Sequence, residues 1–149
     1  MRIGEDEVQQ IYRGTEEITS IYSGDDLVFK KNLIENGSFS DGLAAWHIIH
    51  QIGTIEIIDG ELHLVTEEGG GTVSIEQNIF TSASVLRVEC DYRDVVPDFI
   101  IGVTGGNVEL NGSGHLSRDF PVGANPRIAI IANGNGSGYI SNVTVKAVN

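Results

Sequence analysis

The sequence predicts an all-β chain: a short N-terminal antiparallel β-meander followed by a β-sandwich jelly roll. Three observations carry this. No stretch shows the 3.6-residue apolar period of an amphipathic helix, whereas about nine or ten short segments alternate apolar with polar residues. Glycine supplies 19 of 149 residues and proline only 3, against an ordinary glycine share of roughly 7%. That excess without proline is the composition of tight turns between short strands. Turn signals then recur about every ten residues, the spacing of a sandwich rather than of βαβ units.

The first thirty residues repeat with a period of ten. Gly4, Gly14 and Gly24 coincide, as do Val8, Ile18 and Val28, and the Ile-Tyr pairs Ile11-Tyr12 and Ile21-Tyr22. Each glycine opens a polar, mostly acidic turn, and each β-branched residue starts the next strand. The reading is strands near 8–13, 18–23 and 27–31 joined by four-residue turns. Alternation places Val8 and Tyr12 on one face with Ile11 on the other, and Ile18 and Tyr22 opposite Ile21. Both faces are apolar, and a sheet of this size cannot enclose both. Residues 1–30 are therefore expected to form a docking or oligomerisation element, with Ile11, Tyr12, Gly14, Ile21, Tyr22 and Gly24 as its contact and turn positions. An extra sheet layer on the main domain is the alternative.

The repeat stops near Lys30-Lys31-Asn32, leaving 31–149 as a second domain. Thr54–Ile58 and Glu61–Thr66 flank Asp59-Gly60, a strong hairpin signal. Thr72–Phe80 alternates through Val73, Ile75, Gln77 and Ile79. Ser84–Arg93 puts Leu86, Val88, Cys90 and Tyr92 inward and Arg87, Glu89, Asp91 and Arg93 outward. Asp98–Thr104, Asn107–Leu110, His115–Phe120, Arg127–Ala132 and Tyr139–Val148 complete the expected strands.

The net charge of −12, from 21 acids and 9 bases, argues against nucleic acid, which needs clustered Lys and Arg; Lys30-Lys31 is the only adjacent basic pair. It equally argues against an anionic membrane surface. No apolar run approaches a membrane span, and Met1 leads into an acidic stretch rather than a basic-apolar signal peptide. A cytosolic product is expected, without standard secretion. A single cysteine, Cys90, excludes an internal disulfide and a Cys-based zinc cluster.

The segment Asn32-Leu33-Ile34-Glu35-Asn36-Gly37-Ser38-Phe39-Ser40-Asp41-Gly42-Leu43-Ala44-Ala45-Trp46 resembles the opening of the galactose-binding-like jelly rolls found in many carbohydrate-binding modules. Asp59-Gly60-Glu61-Leu62, the Gln-bearing Ile75-Glu76-Gln77-Asn78-Ile79 and the closing Ile140-Ser141-Asn142-Val143-Thr144-Val145 match further elements of that family, so the resemblance spans 32–149. It implies that Asn36, Phe39 and Trp46 are structural core positions. It also implies a structural calcium in some members, held by acids at positions that are Ser40 and Ser141 here. Calcium takes six to eight oxygens, largely carboxylate; with only Asp41 and Glu35 nearby, no cofactor or metal is expected. The N-terminal Ile-Tyr-x-Gly units resemble the first residues of phage minor virion proteins, namely tail-fibre, head-fibre and decoration proteins.

Other chemistry-bearing residues are read as structural. His47 and His50, three apart on a strand, are expected on opposite sides and so unable to share a metal. His63 and His115 are isolated in the sequence. The acid pairs Asp59/Glu61, Glu67/Glu68 and Asp91/Asp94 have glycosidase-like composition without a cleft to serve. The sequons at Asn36, Asn111, Asn135 and Asn142 read as turn chemistry. Residues 133–138, Asn-Gly-Asn-Gly-Ser-Gly, read as an exposed loop tip. Tyr92, Phe99, Phe120 and Tyr139 are either sugar platforms or, by alternation, core.

Together these features predict a non-enzymatic bacteriophage virion protein, made in the host cytoplasm. Its expected partners are other virion proteins, copies of itself (a trimer by resemblance to fibres) and, weakly, host-surface glycans. The alternative is a carbohydrate-binding module of a bacterial polysaccharide-utilising system.

Overall fold

The computed structural model describes residues 32–148 and, as backbone, 12–13, 16–17, 20–23 and 26–30. The chain divides into two compact units, Met1–Asn32 and Leu33–Asn149. In the first, β1 (Tyr12–Arg13) pairs antiparallel with β2 (Glu16–Glu17), and β3 (Ser20–Ser23) with β4 (Asp26–Lys30). Glu16–Glu17, which the sequence places in a turn, lies in a strand. Only two positions separate β1 from β2, the shortest hairpin connection, so the acidic pair continues the ladder. A link between the two hairpins, which a meander requires, falls on Ile18 and Thr19. These, with Ile11, Gly14 and Gly24, lie outside the described residues.

The second unit contains β5 (His47–Gln51), β6 (Gly53–Ile58), β7 (Glu61–Thr66), β8 (Thr72–Asn78), β9 (Val85–Val96), β10 (Phe99–Val103), β11 (Gly106–Glu109), β12 (Gly112–Pro121), β13 (Arg127–Asn133) and β14 (Ser137–Ala147). They form two five-stranded antiparallel sheets, in the orders β11-β10-β13-β8-β5 and β12-β9-β14-β7-β6. The unit is an all-β sandwich, as the sequence predicts. Among the described residues no helix is long and apolar enough to cross a membrane.

Alternation builds the core. Leu62 and Leu64 from β7, Val73 and Ile75 from β8, Leu86, Val88 and Cys90 from β9, Ile101 from β10, Ile128 and Ile130 from β13 and Ile140 and Val145 from β14 are all fully buried between the sheets. A buried Leu, Ile or Val side chain contributes about 1.5–3 kcal/mol of transfer free energy, so this layer is the main source of stability. The hairpin at Asp59-Gly60 closes as its sequence demands, both residues having the left-handed φ (52° and 79°) of the two-residue turn.

The opening segment closes one side of the core. Leu33 donates its N–H to the Val145 carbonyl at 2.7 Å. Gln77, buried on β8, holds the next turn by its amide: its Nε2 donates to the Glu35 carbonyl (3.0 Å) and its Oε1 accepts the Glu35 N–H (2.7 Å). Asn36 has a φ of 53° and organises the loop that follows. Its Nδ2 donates to the carbonyls of Gly42 (3.0 Å) and Ala44 (2.9 Å), and its Oδ1 accepts the Asp41 N–H (3.1 Å). Trp46 returns its indole N–H to the Asn36 carbonyl at 3.0 Å and stacks on buried Phe39, ring centroids 5.5 Å apart. Gly37 accepts the Val143 N–H on its carbonyl at 2.9 Å, and a Cβ there would collide with the Val143 carbonyl oxygen. The Asn-Gly-x-Phe…Trp pattern is thus one hydrogen-bonded knot seated on the bulge of β14.

Two expectations need correction. The sequence did not mark β5, whose five residues are all exposed. A bulge between Ile48 and His50 shifts its register on β8, so His47 lies opposite Glu76 and His50 opposite Ser74. Glu76 and Ser74 share a face, so the two histidines stand on the same side of the sheet rather than on opposite sides; the inserted residue inverts the parity on which that expectation rested. The 133–138 loop is also not a free tip. Gly136 is buried, its carbonyl accepts the Thr66 N–H and hydroxyl (both 3.2 Å), and Gly134 donates to the Gly71 carbonyl (2.9 Å).

Candidate functional site

The outer faces of the two sheets differ in kind. On β12-β9-β14-β7-β6 the polar side chains pair with one another. Arg93 lies across Glu61 (2.8 Å) and reaches Asp94 (2.8 Å), and its guanidinium sits 3.7 Å from the centre of the Tyr139 ring. His63 stacks on Tyr139, 4.0 Å away and 4° from parallel. Strand β14 lies between β7 and β9, so Tyr139 is sandwiched between imidazole and guanidinium. Arg87 grips Asp119 with two bonds of 2.7 and 3.1 Å. Asp91 accepts from Asn142 (2.9 Å) and pairs with the His115 ring (2.8 Å). The Asn142 hydrogen bond first, then His115, holds the Asp91 carboxyl below the usual carboxylate range, and the Arg87 hydrogen bond does the same for Asp119. These charged groups are spent on one another, whereas His63 keeps a buried Nδ1 without a hydrogen-bond partner.

The outer face of β11-β10-β13-β8-β5 is open. Register aligns Asn107, Gly102, Ala129, Glu76 and His47 in one row across all five strands, and Glu109, Ile100, Ile131, Ser74 and His50 in the next. The small residues Gly102 and Ala129 leave a trough of about 230 Å³, walled by Ile100 and Ile131 on one side and by Thr104, Arg127 and Asn107 on the others. Gly102 is fixed by packing, since a Cβ would strike Asn107 on the neighbouring strand. Arg127 is half exposed, 3.3 Å from Glu76, and its backbone N–H donates to the Thr104 hydroxyl at 3.2 Å.

Beside Arg127 in register stands Asn78, which begins a second concavity of about 410 Å³ formed with Ile79, Phe80, Thr81, Asn125 and Pro126. That volume falls within the range of small-molecule pockets, about 300–1,000 Å³. Phe80 is 86% exposed, a bare aromatic ring beside two side-chain amides and a hydroxyl. Asn78 of the second concavity lies opposite Arg127 of the first across the β8–β13 ladder. The trough offers donors and acceptors, and the second concavity a flat apolar ring.

The sequence-derived residues fall elsewhere. Asn36, Phe39 and Trp46 lie in the knot described above; Phe99 and Phe120 are buried, and Tyr92 packs on the core. Tyr139, which alternation allowed as core, stands on the outer face but is covered by His63 and Arg93 on its two ring faces. His115 is not isolated, being placed by register against Asp91. The backbones of Tyr12, Ile21 and Tyr22 lie in β1 and β3. The residue that sequence reasoning missed is Phe80. Its signal was present: on a strand with Val73, Ile75, Gln77 and Ile79 inward, position 80 must point outward.

The calcium implied by resemblance does not fit. Ser40 shares a hydrogen bond with Ser38 (3.1 Å), Ser141 faces Asp91 across β9, and Asn36 is committed to backbone groups. Among the described residues no three of His, Cys, Asp and Glu are grouped as a metal would need.

No family model matches the sequence, and no curated protein does. Solved structures do match in fold. A family 61 carbohydrate-binding module, TmCBM61, solved in complex with beta-1,4-galactotriose, has a TM-score of 0.58 at 14% identity, covering 80% of this chain and 100% of that one. A family 16 carbohydrate-binding module has a TM-score of 0.60 at 14% identity, covering 76% and 99%. The enzymatically active domain of tailspike protein 4 of bacteriophage CBA120 has a TM-score of 0.55 at 14% identity, covering 78% of this chain and 21% of that one. The fold is that of carbohydrate-binding-module jelly rolls.

Proposed function

We propose that this chain is a non-enzymatic virion component of a bacteriophage, anchored through residues 1–30 and displaying the sandwich so that its open face contacts host-surface glycans. The observation that carries the glycan half is the pair of neighbouring concavities, the Gly102–Ala129 trough and the one holding exposed Phe80. Sugars present hydroxyls on the edge of a ring and C–H groups on its faces. A polar trough neighbouring a bare aromatic ring suits both, and the fold is shared with a module solved on a galactotriose. The virion half is supported by the Ile-Tyr-x-Gly repeat and by the fold match of the sandwich to 21% of a phage tailspike chain.

Binding is expected to be weak. A net hydrogen bond contributes only about 0.5–1.5 kcal/mol, and the surface offers one ring for stacking. An affinity near millimolar, about 4 kcal/mol, follows, and useful adhesion then depends on many copies. Catalysis is not supported. Of the acids in the three suspect pairs, Glu61 and Asp94 are held by Arg93, and Asp91 is shifted downward, the reverse of what a general acid needs.

The alternative, a carbohydrate-binding module of a polysaccharide-utilising system, is favoured by the near-complete coverage of the two binding modules. Mass spectrometry of purified particles separates the two. The virion reading expects the chain at stoichiometric copy number and its loss when residues 1–30 are deleted. Absence from particles, with glycan binding retained by the free protein, would establish the alternative.

A further inference from the structure

Among the described residues six large apolar side chains are exposed, and four of them, Ile48, Ile49, Ile52 and Ile58, lie on β5, the residue that follows it and β6. Strands β5 and β6 end their respective sheets on the same side and are joined through Ile52 alone. Among the described residues β5 pairs only with β8, so its other edge presents free backbone N–H and C=O groups.

Open edges are normally protected by charge or proline. The four terminal strands of the two sheets differ in this respect. β11 carries Glu109, β12 carries Arg118, Asp119 and Pro121, and β6 carries Glu56. Strand β5 carries no charge and no proline, its one irregularity being the bulge between Ile48 and His50, and residues 42–55 contain no Asp, Glu, Lys or Arg. In a chain of net charge −12, two copies repel wherever acidic surface meets acidic surface. Here is a long edge where they do not.

The strand also suits its own copy. It reads His47-Ile48-Ile49-His50, the same in both directions, and both histidines stand on the outer face of the sheet. An antiparallel pairing that sets His47 against His50 of the copy keeps the faces matched and centres the isoleucines on the two-fold axis. We propose that β5 is a self-docking edge, on which a second copy of this chain pairs antiparallel and buries Ile48, Ile49 and Ile52 of both. The contact depends neither on residues 1–30 nor on glycan binding.

Cysteine cross-linking of the full chain tests it. The native Cys90 is fully buried and its thiol is pushed up to about 12 by burial, so it does not compete at pH 8. Ile49→Cys, or Ile48→Cys should the first fold poorly, is expected to form an intermolecular disulfide at least tenfold faster than Glu109→Cys on the far edge of the same sheet, because positions 48 and 49 flank the two-fold axis. Ile49→Lys is expected to remove the dimer in sedimentation, to leave the far-ultraviolet circular dichroism of the folded chain unchanged, and to abolish any dependence of the melting temperature on protein concentration. Equal cross-linking of the β5 and β11 cysteines, or an Ile49→Lys chain of unchanged mass, overturns the proposal.

Discussion

Replacing Trp46 by alanine probes whether the 36–46 loop is part of the core. The indole is 6% exposed, stacks on Phe39 at 5.5 Å and donates to the Asn36 carbonyl at 3.0 Å. Truncating a buried aromatic of this size costs about 3–5 kcal/mol, including the cavity; the ring pair itself is worth about 0.5–1.5 kcal/mol. The surroundings cannot collapse easily, because Asn36 ties the loop to itself and Gly37 and Gln77 fix it by hydrogen bonds to β14 and β8. The upper half of the range is therefore expected. Trp46→Phe keeps an aromatic ring beside Phe39 and loses only the indole N–H. The Asn36 carbonyl still accepts the Phe39 N–H at 3.2 Å, so the loss should be about 1 kcal/mol. Urea unfolding followed by far-ultraviolet circular dichroism is the assay, since Trp46 is the only tryptophan. A Trp46→Ala chain within about 1 kcal/mol of the parent would refute the reasoning. Unchanged stability with lost glycan binding would move Trp46 into the binding surface.

Other expectations follow from the same contacts. Gly37→Ala drives a methyl group into the Val143 carbonyl and should destabilise by about 1–3 kcal/mol, read by thermal melting. Gln77→Leu leaves the Glu35 N–H and carbonyl unsatisfied and should cost about 1–3 kcal/mol in urea unfolding, despite being more apolar. Because the folded carboxyl of Asp91 is held low, its stabilising contribution is present above the unfolded value of about 3.9 and is lost as pH falls through the folded value. Asn142→Ala should raise the Asp91 titration midpoint in an NMR pH series, while Asp119 is unaffected. Deleting residues 1–30 should leave a folded sandwich that no longer joins its particle, while the β5 contact between copies is kept; retained incorporation would show that docking lies elsewhere.

Much of the fold is legible because it depends on local chemistry. Asp59-Gly60 dictates a hairpin whatever surrounds it, and the alternation through Leu86, Val88 and Cys90 survives because β9 is covered on one face only. β5 was not legible: its bulge destroys the two-residue period, and every residue is exposed, so burial leaves no pattern to read. The ion pairs were hidden for a different reason. Arg93 and Glu61 are 32 residues apart, and His115 and Asp91 are 24 apart; only the strand order and register bring them together. The trough is hidden in the same way, since Gly102 and Ala129 become a floor only when β10 lies beside β13. Phe80 could have been found by following the alternation to position 80, two residues past the end of β8, since an aromatic placed outward there has nothing to pack on.

The glycan-contact claim is tested most directly by saturation-transfer NMR and calorimetry on residues 31–149 with β-1,4-linked galacto-oligosaccharides and a panel of bacterial surface glycans. Transfer to the ring protons of at least one glycan is expected, with a dissociation constant near millimolar, lost in Phe80→Ala and weakened severalfold in Arg127→Ala, both variants melting as the parent does. No transfer from any glycan, or an affinity indifferent to Phe80, would contradict the assignment of this face as the binding surface.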